Sequence, residues 1–387
     1  MVKGHLRLPR DRRWLLLSWL FVDRIVYTLN WLAISPAQPF LATEFNIGLS
    51  ALGILGAVFL LGVALFQLPA AILAARYGAK KIALLGLFLS SFFAGLCGLA
   101  PAFEYLLVLR FLTGVFLSFF FGPGITFFTP LFNTRERGTA VGVYNAGFHT
   151  GTLVTLGVWP TIMSLYGWRL GLLVPGVAGV LLAFATYWVS RWVEDPVDPR
   201  GVHVSTIGNR LVLYSALGLG FAGAAWYPLT QFGILYLTSE AKLDVGIAGA
   251  MVSVLSLGSV VGAPLSGRLY DRARDRKRLL YLLNLLNSVS LAAFSISPVQ
   301  AIIPIVFMTG LFYTASNNLY YVTPMMVVSQ SEIAVTVATV NMVHLLAASA
   351  IPYVFSAVAE SWGYFAGWMM MVFVSLLAVL CVWRMRF

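Results

Sequence analysis

The sequence predicts an all-α membrane protein of twelve transmembrane helices, arranged as two pseudo-symmetric halves of six. Three observations support this class. The 387 residues are 60% hydrophobic and only 10% charged, whereas a soluble protein carries about 25% charged residues. Apolar runs of about 20 residues, each long enough to cross a bilayer as a helix, recur along the chain. The basic residues are divided unevenly between alternate loops.

Each apolar run is predicted to be one membrane span, and the spans are numbered one to twelve in chain order. The polar and glycine- or proline-containing segments between the runs mark the loops. The spans cover residues 14–35, 51–75, 82–100, 105–131, 138–163, 170–191, 211–237, 246–266, 279–297, 301–327, 334–358 and 365–383.

The distribution of positive charge predicts the topology. Of the 25 lysines and arginines, 21 lie in the N-terminal segment, in every second loop and in the C-terminal segment. The remaining loops hold Arg169 and Lys242, while Arg24 and Arg110 fall inside spans. This positive-inside pattern places both termini in the cytoplasm. The net charge of +11 therefore reflects topology and not nucleic-acid binding, and the short loops favour a prokaryotic plasma membrane.

The chain also contains an internal repeat. The segment "AAILAARYGAKK" (70–81) follows span two, "SGRLYDRARDRKR" (266–278) follows span eight, and their alignment gives an offset of 196 residues. The polar stretch 193–210 is predicted to be a cytoplasmic connector between an N-terminal bundle (1–192) and a C-terminal bundle (211–387). Many secondary transporters are built from two such halves, with the substrate site near the midplane between them.

These motifs resemble those of the major facilitator superfamily over the whole chain. The loop after span eight is similar to the family signature G-x-x-x-D-R followed by basic residues. Further similar segments are "RFLTG" (110–114), "RERGTA" (135–140) and "GWR" (167–169). The loop after span two is a degenerate copy, because Ala71 and Ala75 stand where glycine and aspartate are usual. The resemblance implies the major facilitator fold.

The loop signature predicts a cytoplasmic latch between the halves. An aspartate at a helix end can accept hydrogen bonds from the N-terminal amides of a neighbouring helix and can pair with arginine. Asp271 can do this, whereas Ala75 cannot, so the predicted latch is asymmetric. The alternative for the basic residues is simple anchoring at the membrane surface. The predicted latch residues are Arg76, Gly267, Asp271 and Arg272.

Two adjacent charges, Asp23 and Arg24, interrupt the apolar span one. A charge at membrane depth is costly, so it usually faces a cavity or a partner and serves function. The alternative is a buried ion pair that only fixes helices. Because neighbouring residues point about 100° apart on a helix, we expect Asp23 and Arg24 to have separate roles.

Depth along the spans suggests that Asp23 can meet Arg110 of span four. Asp23 lies about 14 Å from the inner face and Arg110 about 9 Å from the outer face of a core about 30 Å thick. A carboxylate is protonated more readily in an apolar environment than beside arginine. The family resemblance implies such a switch, so Asp23 is predicted to carry the coupling proton and Arg110 to tune it.

Arg24 would then be a free cation facing the cavity, which suits a carboxylate substrate. The Asp-Arg pair followed by tyrosine and asparagine resembles the anion:cation symporter branch of the family. Span four departs from that branch because it lacks the acidic residue expected there.

The resemblance implies that spans one, four, seven and ten line the cavity. Besides Arg24, their mid-span polar and aromatic residues are the predicted substrate contacts, with helix packing as the alternative for the aromatic ones: Tyr27, Asn30, Trp226, Tyr227, Gln231, Tyr313, Ser316 and Asn317. His149 and His344 are predicted either to relay protons or to be neutral histidines bonded to neighbouring helices.

The predicted function is proton-coupled symport of a small organic anion, a carboxylate or sugar acid, by alternating access. The first alternative is a proton-coupled exporter of drugs or lipophilic cations, using the phenylalanine-rich span four, and the second is a facilitative uniporter. No nucleotide loop, metal cluster or catalytic triad is present in the loops, so the sequence does not predict an enzyme. We expect no cofactor other than a coupling proton, no nucleic-acid partner and a monomer in the bilayer.

Overall fold

The computed structural model describes residues 10–133, 136–195, 209–325 and 333–385. These ranges contain fourteen α-helices, two short 3₁₀ turns and no β-strand. The helices are α1 (Arg10–Leu32), α2 (Ile34–Glu44), α3 (Leu49–Tyr77), α4 (Ala79–Cys97), α5 (Phe103–Phe128), α6 (Arg137–Gly157), α7 (Trp159–Tyr166), α8 (Trp168–Ser190), α9 (Arg210–Ser239), α10 (Val245–Arg272), α11 (Arg276–Ile296), α12 (Ile302–Met325), α13 (Ile333–Ser349) and α14 (Ile351–Arg384).

The helices confirm the all-α class and the twelve predicted spans. Ten helical stretches of the described chain are long and apolar enough to cross a bilayer. The stretch 336–384 contains spans eleven and twelve, because α14 leaves helical geometry at Gly363 (φ 85°). The positive φ of Gly363 costs a glycine little and would cost other residues much. Span five is the remaining crossing and consists of α6 followed by α7.

Three spans are interrupted near a proline. Span one breaks at Ala33, with Pro36 in the first turn of α2, while α7 and α14 begin with Pro160 and Pro352 in their first turns. Proline is tolerated there because the first-turn amides have no intrahelical acceptor. The sequence places the end of span one at residue 35, whereas the helix resumes and continues to Glu44. Pro36 therefore redirects this span without ending it.

The two halves repeat the same local geometry. Gly167 and Gly363, which are 196 residues apart as in the sequence repeat, share a φ of 85°. Lys80 Nζ donates to Val193 O at 2.5 Å in the first half, and Lys277 Nζ donates to Trp383 O at 2.8 Å in the second. The division into 1–192, 193–210 and 211–387 stays a prediction, and residues 196–208 of the connector lie outside the described residues.

One end of the bundle is held together by Arg169. Its guanidinium forms an ion pair with Glu44 at 2.5 Å and donates to Ala100 O at 2.9 Å. Trp168 Nε1 also donates to Glu44 Oε2 at 2.6 Å. Three loops of the first half are therefore joined here. We call this end the Arg169 end and the opposite end the Arg272 end.

The halves contact each other at the Arg169 end. Helix α3 packs against α13 and α14, and α6 packs against α10. Ser35 Oγ donates to Gln231 O at 3.0 Å. Ser50 N, in the first turn of α3, donates to Glu360 Oε2 at 2.8 Å. A carboxylate at a helix N-terminus is favoured by the helix dipole and the free amides. The conformation is therefore closed at the Arg169 end.

The predicted latch at the Arg272 end is not formed in this conformation. Arg76, Gly267, Asp271 and Arg272 are all exposed, and Asp271 and Arg272 form no hydrogen bond or ion pair within the described part of the chain. A different aspartate occupies a helix N-terminus at this end. Asp195 accepts hydrogen bonds from the amides of Lys80 and Lys81 at the start of α4, each at 3.0 Å.

Candidate functional site

Arg24 lies at the centre of a cluster of aromatic rings. The side chain is 5% exposed, and its guanidinium carbon lies 4.1 Å from the ring centroid of Tyr27 and 4.4 Å from that of Phe121. The rings of Phe148 and Tyr144, on α6, lie 5.0 and 5.4 Å away. Rings attract a cation through their negative faces and stabilise it by about 0.5–2 kcal/mol. The rings therefore hold the cation in place without neutralising it.

Two nitrogen atoms of the Arg24 guanidinium lack hydrogen-bond partners among the described residues. Its Nε and Nη1 atoms are buried and have no hydrogen-bond partner among the described residues. Buried polar groups in proteins are nearly always hydrogen-bonded, so an exception calls for a functional explanation. A guanidinium with free N–H groups is a suitable partner for the two oxygens of a carboxylate.

Glycines of α6 set the position of this part of α1. A Cβ atom on Gly147 would lie 2.7 Å from Phe21 O and 2.8 Å from Arg24 Cβ. Gly151, one turn further on, lies against Thr28 and Ile25 in the same way. Because small residues let helix backbones approach closely, α1 packs directly on α6. The backbone of Arg24 is thereby fixed beside the rings of Tyr144 and Phe148.

Asp23 points in a different direction from Arg24. Its carboxyl group is fully buried and accepts a hydrogen bond from Thr186 Oγ1 of α8 at 2.8 Å. The second oxygen, Oδ1, has no partner among the described residues. The two adjacent charges thus have separate surroundings. Asp23 faces the interior of the first half and Arg24 faces the aromatic cluster.

Arg110 binds the end of α1 and not Asp23. Its two terminal nitrogens donate to Asn30 O at 2.9 Å and Trp31 O at 3.1 Å, and its guanidinium carbon lies 3.9 Å from the centroid of Phe59. Carbonyls at the end of a helix lack intrahelical donors, and α1 ends at Leu32. The predicted Asp23–Arg110 contact is absent here, because the helix break supplies acceptors that the depth estimate did not include.

Spacings of four and seven residues would place Asp23, Tyr27 and Asn30 on one face of α1, but their side chains lie in two different environments. Asn30 Nδ2 donates to Ser91 Oγ of α4 at 2.9 Å, so Asn30 points into the first half as Asp23 does. Tyr27 instead packs against Arg24 and lies 5.5 Å from the ring of Phe120. Only Tyr27 of these three residues belongs to the aromatic cluster.

A stack of three rings joins the halves at mid-depth. Trp226 of α9 is stacked on Phe148 of α6, with centroids 6.3 Å apart, and on Tyr313 of α12, with centroids 5.8 Å apart. The Arg24 cluster therefore continues into the second half. Asn317 Nδ2 donates to Tyr313 Oη at 3.3 Å on the same helix.

Two other predicted contacts, Tyr227 and Ser316, already have hydrogen-bond partners in the second half. Tyr227 Oη is bonded to His344 Nε2 of α13 at 3.1 Å, and the choice between a proton relay and a neutral histidine stays a prediction. Ser316 Oγ donates to Tyr313 O within α12 at 2.9 Å. These groups are already partnered and are less available to a substrate than Arg24.

Gln231 lies at the junction of the two halves, whereas His149 lies beside Phe148 in the first half. The backbone oxygen of Gln231 accepts the bond from Ser35 at the junction of the halves, and its side-chain Oε1 has no partner among the described residues. His149 is half-buried, with its ring centroid 5.8 Å from that of Phe148. No hydrogen bond links His149 to His344 within the described ranges.

Sequence reasoning missed three residues that shape the site: Tyr144 and Phe148 lie against Arg24, and Thr186 bonds Asp23. Phe121, which also lies against Arg24, belongs to the phenylalanine-rich span four that the sequence proposed as a wall only for the exporter alternative. Tyr144 and Phe148 are four residues apart and therefore share a face of α6, which is the one signal that was available. A threonine in an apolar span is common and gives no signal of its own.

Comparison with known proteins gives a consistent set of similarities. The sequence profile described as Major Facilitator Superfamily matches residues 20–352 and also residues 215–387. A bacterial homologue of the human lysosomal transporter Spinster has a similar structure, with a TM-score of 0.83, 16% identity and 97% of each chain covered.

Curated relatives are more similar in sequence. A probable L-galactonate transporter of Escherichia coli is 25% identical over 65% of this chain and 60% of its own length. A probable 4-methylmuconolactone transporter of Cupriavidus pinatubonensis is 25% identical over 63% of this chain and 60% of its own length. A D-galactonate transporter of Escherichia coli is 26% identical over 68% of each chain. The match thus spans about 60% of the length of the first two relatives.

Proposed function

The chain belongs to the Major Facilitator Superfamily, and from this premise we propose that it carries a small organic anion across the membrane together with a proton. The family consists of transporters and not enzymes. The substrate, the coupling ion and the roles of individual residues form the proposal.

The observation that carries the proposal is the unsatisfied guanidinium of Arg24. It is buried in the first half, lies against four rings, one of which (Phe148) is stacked on Trp226 of the second half, and has free N–H groups. A desolvated cation of this kind is stabilised by an anion that enters the cavity. The named substrates of the relatives, galactonate and 4-methylmuconolactone, agree with a carboxylate or a related small acid as the cargo.

Asp23 is the proposed proton site. It is fully buried beside Thr186, and one of its oxygens is unpaired within the described chain. A carboxyl group at membrane depth without a cationic partner is the usual site of a proton relay in transporters. Arg110 is held by the end of α1 in this conformation, so a tuning contact with Asp23 remains a prediction for another conformation.

During alternating access, the Arg169 end of the bundle would open as the Arg272 end closes. The positive-inside pattern supports a cytoplasmic Arg272 end in the plasma membrane, so the present conformation would open inward. In the outward-open conformation the proposed latch of Asp271, Arg272, Gly267 and Arg76 would close. The contact of Ser50 with Glu360 at the Arg169 end would then open.

Export of lipophilic cations is the second candidate, because the site wall is rich in aromatic rings. A cationic substrate would have to approach Arg24 in the same cluster, and like charges in a desolvated site repel strongly. Facilitated diffusion of the same anion without a proton is the third candidate.

The test is uptake into proteoliposomes under an imposed inward proton gradient, with radiolabelled carboxylates compared with lipophilic cations. We expect saturable carboxylate uptake that Arg24→Gln abolishes. The matched control is Arg274→Gln, which removes an exposed arginine and should leave uptake unchanged. Cation movement against the proton flow, with full activity in Arg24→Gln, would exclude the anion proposal in favour of export.

A further inference from the structure

The surroundings of Arg24 restrict the class of carboxylate that the site can take. We propose that the substrate is a monocarboxylate with an apolar, ring-shaped body, such as an aromatic acid, and not a polyhydroxylated sugar acid. This inference rests on the proposed role of Arg24 and adds the chemistry of the rest of the substrate.

The number of available cations limits the substrate to one carboxylate. Among the described residues, the arginines and lysines buried in the bundle are Arg24 and Arg110. Arg110 donates through both terminal nitrogens to backbone carbonyls of α1, and only its Nε lacks a partner among the described residues. A second carboxylate would therefore find one N–H group of a cation that is already committed to α1, and its lost hydration would be compensated only in part.

The walls next to Arg24 offer flat apolar surfaces. Phe121, Tyr27 and Phe148 contact the guanidinium with their ring faces. The rings of Phe148, Trp226 and Tyr313 continue from there as a stack, with interplanar angles of 27° and 23°. A ring inserted near this stack would gain offset or edge-to-face contacts of the kind that aromatic pairs prefer.

The polar groups around the stack are mostly occupied by each other. Tyr227 Oη is bonded to His344, Asn317 Nδ2 to Tyr313 Oη, and Tyr321 Oη to Asn341 Oδ1 at 2.8 Å. The buried polar atoms without a partner among the described residues include the hydroxyl of Tyr144, Nδ1 of His344 and Oε1 of Gln231. These few atoms can serve only a few polar substituents of the substrate.

A sugar acid carries a hydroxyl on almost every carbon, so several hydroxyls would be buried here without partners. Each unpaired buried hydroxyl is expected to lower affinity about tenfold. An aromatic body loses no hydrogen bonds on entering the site. The arrangement of one cation, a ring stack and few free polar groups therefore favours the apolar monocarboxylate.

The test is calorimetric binding to the purified full-length protein in detergent, at fixed pH and ionic strength. The probes are benzoate, cyclohexanecarboxylate, D-gluconate and D-glucarate. We expect benzoate to bind at least about tenfold more tightly than D-gluconate, with cyclohexanecarboxylate between them and D-glucarate weakest.

Two variants connect the preference to the rings. Phe148→Leu keeps an apolar side chain of similar volume and should weaken benzoate binding about tenfold while changing D-gluconate binding less. Phe92→Leu is the control, because Phe92 is 46% exposed on α4, and it should bind benzoate as the wild type does. Melting temperatures of both variants show that each is folded.

The outcomes separate this inference from the proposed function. If D-gluconate binds more tightly than benzoate and Arg24→Gln abolishes that binding, the apolar substrate class is wrong, while the carboxylate site at Arg24 is retained. Equal binding of every probe to wild type and Arg24→Gln would overturn both. Benzoate preference that Phe148→Leu leaves unchanged would also contradict the role given to the ring stack.

Discussion

We expect Arg24→Lys to weaken carboxylate binding by about ten- to hundredfold although the positive charge is kept. The guanidinium of Arg24 has two buried nitrogens, Nε and Nη1, without partners among the described residues. Each of them shares one edge of the guanidinium with Nη2, so either edge can donate two parallel hydrogen bonds to one carboxylate. Lysine offers a single charged group on a flexible stem and cannot reproduce that geometry. The loss of one charge-assisted hydrogen bond is about 1.5–3 kcal/mol, and about 1.4 kcal/mol corresponds to a factor of ten in Kd.

The same site makes a prediction about stability without substrate. A buried guanidinium that lacks an anionic partner is costly, so Arg24→Met should leave the apparent melting temperature of the substrate-free protein unchanged or higher. A residue that only holds helices together would destabilise the protein when it is removed. Added carboxylate should then raise the melting temperature of the wild type and not of the variant.

Calorimetry on wild type, Arg24→Lys and Arg24→Met measures both effects, with thermal unfolding of the same samples. A Kd for Arg24→Lys within about threefold of the wild-type value would refute the two-bond geometry. A large drop in melting temperature for Arg24→Met would refute the assignment of this arginine to the substrate, since it would show a structural role.

Three further predictions concern the support of the site and the closure of the bundle. Gly147→Ala should destabilise the protein by about 1–3 kcal/mol and weaken carboxylate binding, because the added Cβ meets Phe21 O and Arg24 Cβ. Arg110→Lys should lower the melting temperature, because one ammonium group replaces a fork that binds two carbonyls. Glu360→Gln should weaken an exposed helix-terminal contact by about 0.5–1 kcal/mol and raise the population open at the Arg169 end about two- to fivefold, as measured by spin-label distances across that end.

Each of these predictions has a specific control or contradiction. Gly142→Ala is the control for Gly147→Ala, because a Cβ at Gly142 has no atom within 4 Å, and equal effects of the two would contradict the packing argument. A melting temperature of Arg110→Lys equal to that of the wild type would show that the two hydrogen bonds from Arg110 to the α1 carbonyls do not stabilise the protein. Unchanged spin-label distances in Glu360→Gln would show that its bond to Ser50 does not hold the closure.

The span pattern was predictable because it depends on long apolar runs and on the charge of the loops, which are properties of the local sequence. The extension of span one to Glu44 was not predictable. The prolines at 36 and 39 indicate a helix end in the sequence, whereas the structure places both within α2. A proline signals termination or a first turn equally well from sequence alone.

The site was predictable only in part. That Asp23 and Arg24 have separate surroundings followed from the angle between neighbours on a helix. The partner of each did not follow, because it depends on which helices pack against α1. The carbonyls that hold Arg110 and the hydroxyl of Thr186 that bonds Asp23 come from tertiary packing.

The most direct test of the central claim compares two assays on Asp23→Asn in proteoliposomes. Substrate counterflow needs binding and the conformational exchange, whereas accumulation under an inward proton gradient also needs proton coupling. Asparagine has the shape of aspartate and can still accept the hydrogen bond from Thr186, but it does not titrate. Our account predicts that Asp23→Asn retains counterflow and loses accumulation, while Arg24→Gln loses both. Accumulation by Asp23→Asn at the wild-type level would contradict it.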